Sequence, residues 1–256
     1  MKFLKHLFSR FGFAMLMAIF SCGVSQAQDS PASLLTLANK QASLAKGQPA
    51  EEKMAATRKA IDLYQTIPKK WPEATKECAR AHLLTGALEQ RLGNTKTAMT
   101  RYEDVLKVKD EMSTHADALL ALASLYRKQK SNAQAVSCLN KLIADCSEVK
   151  KACAKARLNL GSIARQEKRY IDAMQFARDV LDKHENLWRE NVDAVQLYLS
   201  ILIKCRRWDE ARKEMNVLDA KLKQRFAQSE RVKSVNGALA KISARRMLTP
   251  VPVSNN

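Results

Sequence analysis

The chain has 256 residues, with 44 lysines and arginines against 26 aspartates and glutamates, giving a formal net charge of +18. Only seven glycines and six prolines occur, and most of the chain is Ala, Leu, Lys, Arg, Gln and Glu, which are good helix formers. The alternation of β-branched and aromatic residues that β-strands show is missing, which excludes a β-sheet fold and predicts an all-α protein.

The N-terminal segment has the pattern of a secretory signal peptide. Lys2, Lys5 and Arg10 form a basic stretch, Phe11–Phe20 is almost entirely apolar, and small and polar residues lead to Ala27. An apolar run of about ten residues is too short for a bilayer span, which needs roughly 20. We therefore expect residues 1–27 to be cleaved and the protein to be exported, to the periplasm, the cell envelope or the medium.

Two alternatives remain open for this segment. It could be retained as a membrane anchor, or Cys22 could carry a lipid, although Phe20 stands where lipoprotein motifs place a small residue. Removing the segment's three positive charges leaves a net charge of +15. A charge of this size concerns partners rather than fold, and outside the cytoplasm it favours acidic proteins, anionic lipid or acidic polysaccharide over nucleic acid.

From residue 28 onward the chain shows an internal repeat, marked by a small residue followed four positions later by a second apolar one. The interval is roughly 37–38 residues, and the pairs are Ala60/Tyr64, Ala98/Tyr102, Ala135/Leu139, Ala173/Ala177 and Ala211/Met215. A second marker about twelve positions earlier follows the same interval at Gly86, Ala123, Gly161 and Leu199. Small residues let two crossing helices approach closely, so the pattern predicts repeated helix hairpins.

These positions resemble the tetratricopeptide-repeat signature, in units at 79–112, 116–149, 154–187 and 192–225, with a degenerate unit near 32–72. The interval here is longer than that family's roughly 34 residues. The resemblance implies a right-handed superhelical solenoid of about five hairpins over residues 28–247. We predict helices near 32–46, 51–67, 73–91, 95–109, 114–129, 132–145, 150–166, 170–184, 189–205, 208–225 and, as a polar cap, 229–246. Residues 248–256 are predicted to be a disordered tail.

The sequence offers no convergent set of catalytic groups. His82, His115 and His184 lie in different repeats, and metal-ligand spacings, phosphate-binding loops and nucleophile motifs are missing. We therefore expect no enzyme activity, no metal and no cofactor. Cys146 ends one predicted hairpin and Cys153 begins the next, which makes a disulfide between them a hypothesis. The alternative is that both are buried thiols.

In tetratricopeptide arrays the first helix of each hairpin lines a concave groove. By register, the resemblance places in this groove the predicted binding residues Arg80, Arg91, Arg127, Lys128, Lys155, Asn159, Arg165 and Lys204. Arginine suits bidentate contacts with carboxylates. Leucines stand at one position of the carboxylate clamp that some family members use, so this clamp is not expected.

We therefore expect a non-catalytic scaffold that binds an acidic protein or peptide in a basic groove. A second interpretation is an envelope-surface protein that binds anionic lipid or polysaccharide. Nucleic-acid binding would require the signal-peptide interpretation to be wrong, and it lacks exposed aromatic stacking residues. A third interpretation is that lysines and arginines simply cover every solvated face of so basic a chain.

Overall fold

The computed structural model describes residues 30–45 and 48–245, and within these ranges it contains eleven α-helices and no strand. The predicted signal peptide, Cys22 and the predicted tail at 248–256 lie outside the described residues. The helices are α1 Pro31–Leu44, α2 Ala50–Lys70, α3 Thr75–Arg91, α4 Thr95–Lys107, α5 Met112–Lys128, α6 Asn132–Asp145, α7 Lys150–Gln166, α8 Tyr170–Lys183, α9 Trp188–Lys204, α10 Trp208–Arg225 and α11 Val232–Arg245.

The all-α prediction is confirmed, and no observed helix boundary differs from the predicted one by more than three residues. One difference is the end of α2, where Pro68 lies inside the helix instead of ending it. Proline has no backbone N–H, so the hydrogen bond that residue 68 would make to the carbonyl four residues earlier is lost. The helix ends two residues later at Lys70, and its last backbone hydrogen bond runs from the Trp71 N–H to the Ile67 carbonyl over 2.9 Å.

The described chain divides into two compact units, the first ending at Thr114 and the second beginning at His115. In the first unit α2 packs on α1 and α3, and α3 packs on α4. In the second, α7 packs on α6, α8 and α9, while α9 also packs on α8, α10 and α11. Within each unit, every helix therefore contacts helices close to it in the chain, as expected of stacked hairpins.

The small residues of the repeat lie where hairpins pack most closely. All ten members of the five marker pairs are buried, and the five alanines that begin these pairs have no solvent exposure. In the first unit a Cβ on Gly86 would stand 2.7 Å from Cε1 of Tyr102, and in the second a Cβ on Gly161 would stand 2.7 Å from Cδ2 of Leu197. The two glycines therefore leave room for Tyr102 and Leu197 to pack closely against the helix backbone.

Four of the turns inside hairpins share one backbone conformation. Gly93, Lys130, Lys168 and Arg206 have φ values of 84°, 60°, 62° and 59°. At each, the residue's own N–H bonds three residues back and the following N–H bonds five residues back, as in the Asn94 N–H to Glu89 O bond of 2.9 Å. This is the Schellman helix end, which favours glycine because a side chain is strained at positive φ.

We expect Lys168→Gly to raise the free energy of unfolding by about 0.5–1 kcal/mol, because it removes the cost of a side chain at positive φ. The matched change Gly93→Ala should lower it by about 1 kcal/mol, since open space surrounds Gly93 and the backbone alone decides the effect. Urea unfolding of the two variants and the wild type measures both. Two effects of the same sign would contradict this account.

None of the described helices combines the length and the apolar character that crossing a bilayer requires.

Candidate functional site

The candidate site lies on α5, α7 and α9 of the second unit, the first helices of three successive hairpins. Arg127, near the end of α5, donates to Oδ1 of Asn159 over 2.8 Å and to Oγ of Ser162 over 3.3 Å, both on α7. Arg165, one repeat interval further along the chain, donates to Oγ of Ser200 on α9 over 3.2 Å. The repeat thus places one arginine–serine contact at the same position of two successive interfaces.

These three helices line an open pocket of about 530 Å³. Its lining residues are Leu120, Ser124, Arg127, Lys155, Leu158, Asn159, Ser162, Arg165, Asp193, Gln196, Leu197 and Ser200. Pockets that combine apolar walls with a few placed polar groups are typical binding sites.

The apolar and hydroxyl groups of the pocket follow the repeat. Leu120 and Leu158 are one repeat interval apart and both are partly exposed, so they offer an apolar surface to a ligand. Ser124, Ser162 and Ser200 are separated by the same interval and form a second row across the three helices. Because the helices stack in register, a ligand lying across them meets the same side chains more than once.

The pocket carries three cations, Arg127, Lys155 and Arg165, and one carboxylate, Asp193. Neutral oxygens hold both arginines in place, and neither arginine forms an ion pair with any described residue. Partial desolvation raises the pKa of Asp193, with a further increase from Glu190. The pocket is therefore positive, and its two guanidinium groups keep their charge available for a ligand.

The structure brings four of the eight predicted groove residues together in this pocket: Arg127, Lys155, Asn159 and Arg165. Lys128 and Lys204 are exposed residues near or at the ends of α5 and α9, outside the pocket lining. Arg80 and Arg91 are exposed residues of α3 in the first unit. Whether any of the eight binds a ligand stays a prediction.

The binding residues predicted from sequence did not include the three leucines of the pocket lining, Leu120, Leu158 and Leu197. Leu120 and Leu158 were considered only as departures from a carboxylate clamp, although their spacing of one repeat places them beside the predicted arginines. Leu197 breaks this spacing by one position, and its location follows from its contact with Gly161.

The two cysteines of the disulfide hypothesis lie close together as buried thiols. Cys146 follows the end of α6, Cys153 lies in the first turn of α7, and Sγ of Cys153 donates to the Cys146 carbonyl over 3.3 Å. Burial raises the pKa of both thiols, which disfavours the thiolate that reacts during disulfide formation. The disulfide stays a prediction.

His184, at the end of α8, is the buried histidine of the second unit. Arg157 donates to its Nε2 over 2.9 Å, so the ring proton must lie on Nδ1, which is buried without a hydrogen-bond partner. Burial lowers the pKa of His184 below its ordinary 6.5, and Arg157, Lys150 and Lys183 lower it further. Among all the described residues, no three His, Cys, Asp or Glu side chains are grouped as metal ligands.

We expect the protein to lose stability through His184 as the pH falls from about 7.5 to about 5. The folded state resists protonating this ring, whereas the unfolded chain accepts the proton near its ordinary pKa of 6.5, so acid favours unfolding. Urea unfolding at several pH values should show that acid lowers the free energy of unfolding less in His184→Gln than in the wild type. The same pH slope in both proteins would assign the loss to other groups.

Two family models match the second unit, and both describe a tetratricopeptide repeat. One covers residues 117–148, which comprise most of α5 and α6, and the other covers residues 153–187, which comprise α8 and most of α7. Both matches fall on repeat units predicted at 116–149 and 154–187. No curated protein matches the chain significantly.

Proposed function

Because the chain carries tetratricopeptide repeats, which generally serve as protein-interaction scaffolds, we propose that it is a non-catalytic scaffold for an acidic segment of a partner protein. The segment would bind in the pocket on α5, α7 and α9. The observation that carries this proposal is the pair Arg127 and Arg165, which the next helix positions through neutral oxygens without neutralising them.

The pocket supports a peptide more than a small anion. Its cations border a surface that includes Leu120 and Leu158, so carboxylates and apolar side chains could bind together. Arginine binds carboxylates through two parallel N–H donors, which fixes the orientation as well as the affinity. The pocket spans three stacked helices and is open to solvent, which fits an extended segment better than a compact molecule.

Anionic lipid or polysaccharide is the second candidate ligand class, supported by the formal charge of +18. High salt distinguishes peptide binding in the pocket from attraction by charge alone. Attraction between exposed charges weakens as the Debye length shortens, to about 3 Å at 1 M salt. A peptide that also buries apolar side chains on Leu120 and Leu158 should retain measurable binding at that ionic strength, whereas attraction to lipid or polysaccharide by charge alone should disappear.

We propose further that the protein acts after export, in the periplasm or cell envelope, because residues 1–27 have the pattern of a cleaved signal segment. Mass spectrometry of the protein recovered from producing cells tests this directly. A chain that begins at Gln28 in the extracytoplasmic fraction supports export, and an intact N-terminus in the cytoplasm contradicts it.

Site-specific photo-cross-linking tests the proposed pocket. A photoreactive amino acid at Ser124, an exposed pocket residue, should capture a partner through a segment rich in Asp and Glu. The matched control places the same group at Val217, which is 55% exposed on α10 and outside the pocket. Peptide mapping of the cross-link identifies the bound segment. Equal capture at both positions, or capture through basic segments, would remove the proposal.

A further inference from the structure

The three hairpin turns of the second unit lie along one edge of the stacked helices. Because each turn reverses the chain, α5, α7 and α9 run in the same direction, and the contacts of Arg127 and Arg165 show that they stack in register. Their C-terminal ends therefore lie side by side. Asn132, after the first turn, donates to Glu167 of the second over 3.1 Å. We call residues 128–131, 166–172 and 204–209 the turn edge.

The turn edge carries five exposed cations that form no ion pair with any described residue: Lys128, Lys130, Lys168, Lys204 and Arg206. Its acidic residues form ion pairs with arginines other than these five cations. Arg169 pairs with Glu167 over 2.9 Å and with Asp172 over 2.6 Å. The acid of the third turn, Asp209, pairs with Arg212 over 3.2 Å. Seven lysines and arginines against three carboxylates leave the turn edge with a formal charge of +4.

These three turns also differ from the hairpin turn of the first unit in the residue type at the positive-φ position, and packing does not explain the difference. Where Gly93 occupies the positive-φ position in the first unit, the second unit has Lys130, Lys168 and Arg206, at a cost in backbone strain. A long cation at each of three successive turns projects charge from the edge at regular intervals.

Large apolar side chains lie beside these cations. Ile171, the second residue of α8, is 85% exposed, and Trp208, the first residue of α10, is 43% exposed. Tyr170 is half-buried beside Ile171. An isolated exposed side chain is ordinary, but a tryptophan and an isoleucine next to a row of lysines and arginines form the combination that binds the interface of an anionic bilayer.

We propose that the turn edge docks on an anionic lipid bilayer, with its cations at the headgroups and Ile171 and Trp208 at the interface. This surface goes beyond the proposed peptide site, because none of its five cations lines the pocket. The apolar pair favours a bilayer over an acidic polysaccharide, since only the bilayer offers an apolar region. The cations project from separate turns, which suits a dispersed charged surface better than one compact ligand.

The backbone of the turns permits a test in which loss of folding cannot imitate loss of binding. The triple variant Lys130→Gly, Lys168→Gly and Arg206→Gly removes three cations and relieves three strained positions, so its melting temperature should rise. Its binding to phosphatidylglycerol-containing vesicles at low salt should fall about 100-fold. The matched control, Lys150→Gln, Lys151→Gln and Arg189→Gln, removes three exposed cations from the starts of α7 and α9, at the opposite edge.

Vesicle co-sedimentation of the full chain measures these affinities, with phosphatidylcholine vesicles as the uncharged comparison. A selective loss in the turn-edge variant supports the proposal, whereas equal losses in both triple variants would show attraction by net charge alone and overturn it. Absence of wild-type binding to the anionic vesicles would also overturn it.

A second variant, Ile171→Ser, separates the bilayer from a polysaccharide. It keeps every charge and changes a side chain that is 85% exposed, so the fold should be unaffected. Binding to anionic vesicles should weaken, and binding to a soluble acidic polysaccharide should not change. An unchanged vesicle affinity together with tight polysaccharide binding would assign the edge to polysaccharide and overturn the bilayer proposal.

Discussion

Replacing Asn191 with alanine should lower the free energy of unfolding by about 2–4 kcal/mol. Asn191 lies on α9 with no solvent exposure. Its Nδ2 donates to the carbonyls of His184 and Leu187, both over 2.8 Å, and its Oδ1 accepts from Nη1 of Arg225 over 2.9 Å. Alanine would remove the amide donor from both carbonyls and the oxygen acceptor from Arg225.

The size of the effect depends on Arg225, whose side chain is only 13% exposed. This arginine also donates to the Leu181 carbonyl over 2.8 Å and to Glu185 over 3.0 Å, and so ties the end of α10 to the last turn of α8 and to the turn that follows it. Removing one acceptor from a largely buried guanidinium costs more than removing a surface hydrogen bond, because water cannot easily replace the lost acceptor.

The control for this prediction is Asn140→Ala, an exposed position on α6, where we expect a change within about 0.5 kcal/mol. Asn191→Asp provides a second comparison, because it keeps an acceptor for Arg225 but loses the amide donors to His184 and Leu187. It should also be less stable than the wild type, because a carboxylate oxygen would then face these two carbonyl oxygens in a buried site. Equal unfolding free energies for the two alanine variants would show that the Asn191 hydrogen bonds contribute nothing net.

The helices could be predicted from sequence because the repeat displays its packing requirement several times. A single alanine says little, but Ala98, Ala135, Ala173 and Ala211 at nearly constant intervals require the same close helix contact in each hairpin. The turns were also predictable, since good helix formers continue on both sides of a short polar break. The handedness of the predicted superhelix stays a prediction.

The candidate site was only partly predictable, because register gives the face of a helix but not the rotamer of a side chain. Arg127 and Arg165 were placed in the groove by register. Their bonds to Asn159 and Ser200 depend on the distance between neighbouring hairpins, which the sequence does not give. The turn edge was missed for a different reason: cations at positive φ look like ordinary surface residues until the backbone angles are known.

The double variant Arg127→Glu and Arg165→Glu should weaken binding of the cross-linked acidic segment, made as a synthetic peptide, by roughly 100-fold or more. Truncating one partner of a charge pair that is buried on binding typically costs about 2–5 kcal/mol, and reversing its sign adds repulsion. Isothermal titration calorimetry measures the affinity. The charge-matched control, Lys151→Glu and Arg189→Glu, changes exposed cations outside the pocket and should weaken binding only slightly.

Two further variants of the same site separate charge from geometry. Arg127→Lys and Arg165→Lys keep the charge but lose the planar guanidinium group and its paired donors. The double lysine variant should therefore retain only part of the wild-type affinity, more than the double glutamate variant. Leu158→Ser should remove mainly the binding that persists at high salt, because this partly exposed leucine offers apolar surface rather than charge. Equal losses in the charge-reversed pocket variant and in its control would mean that net charge, and not the two arginines in the pocket, attracts the peptide.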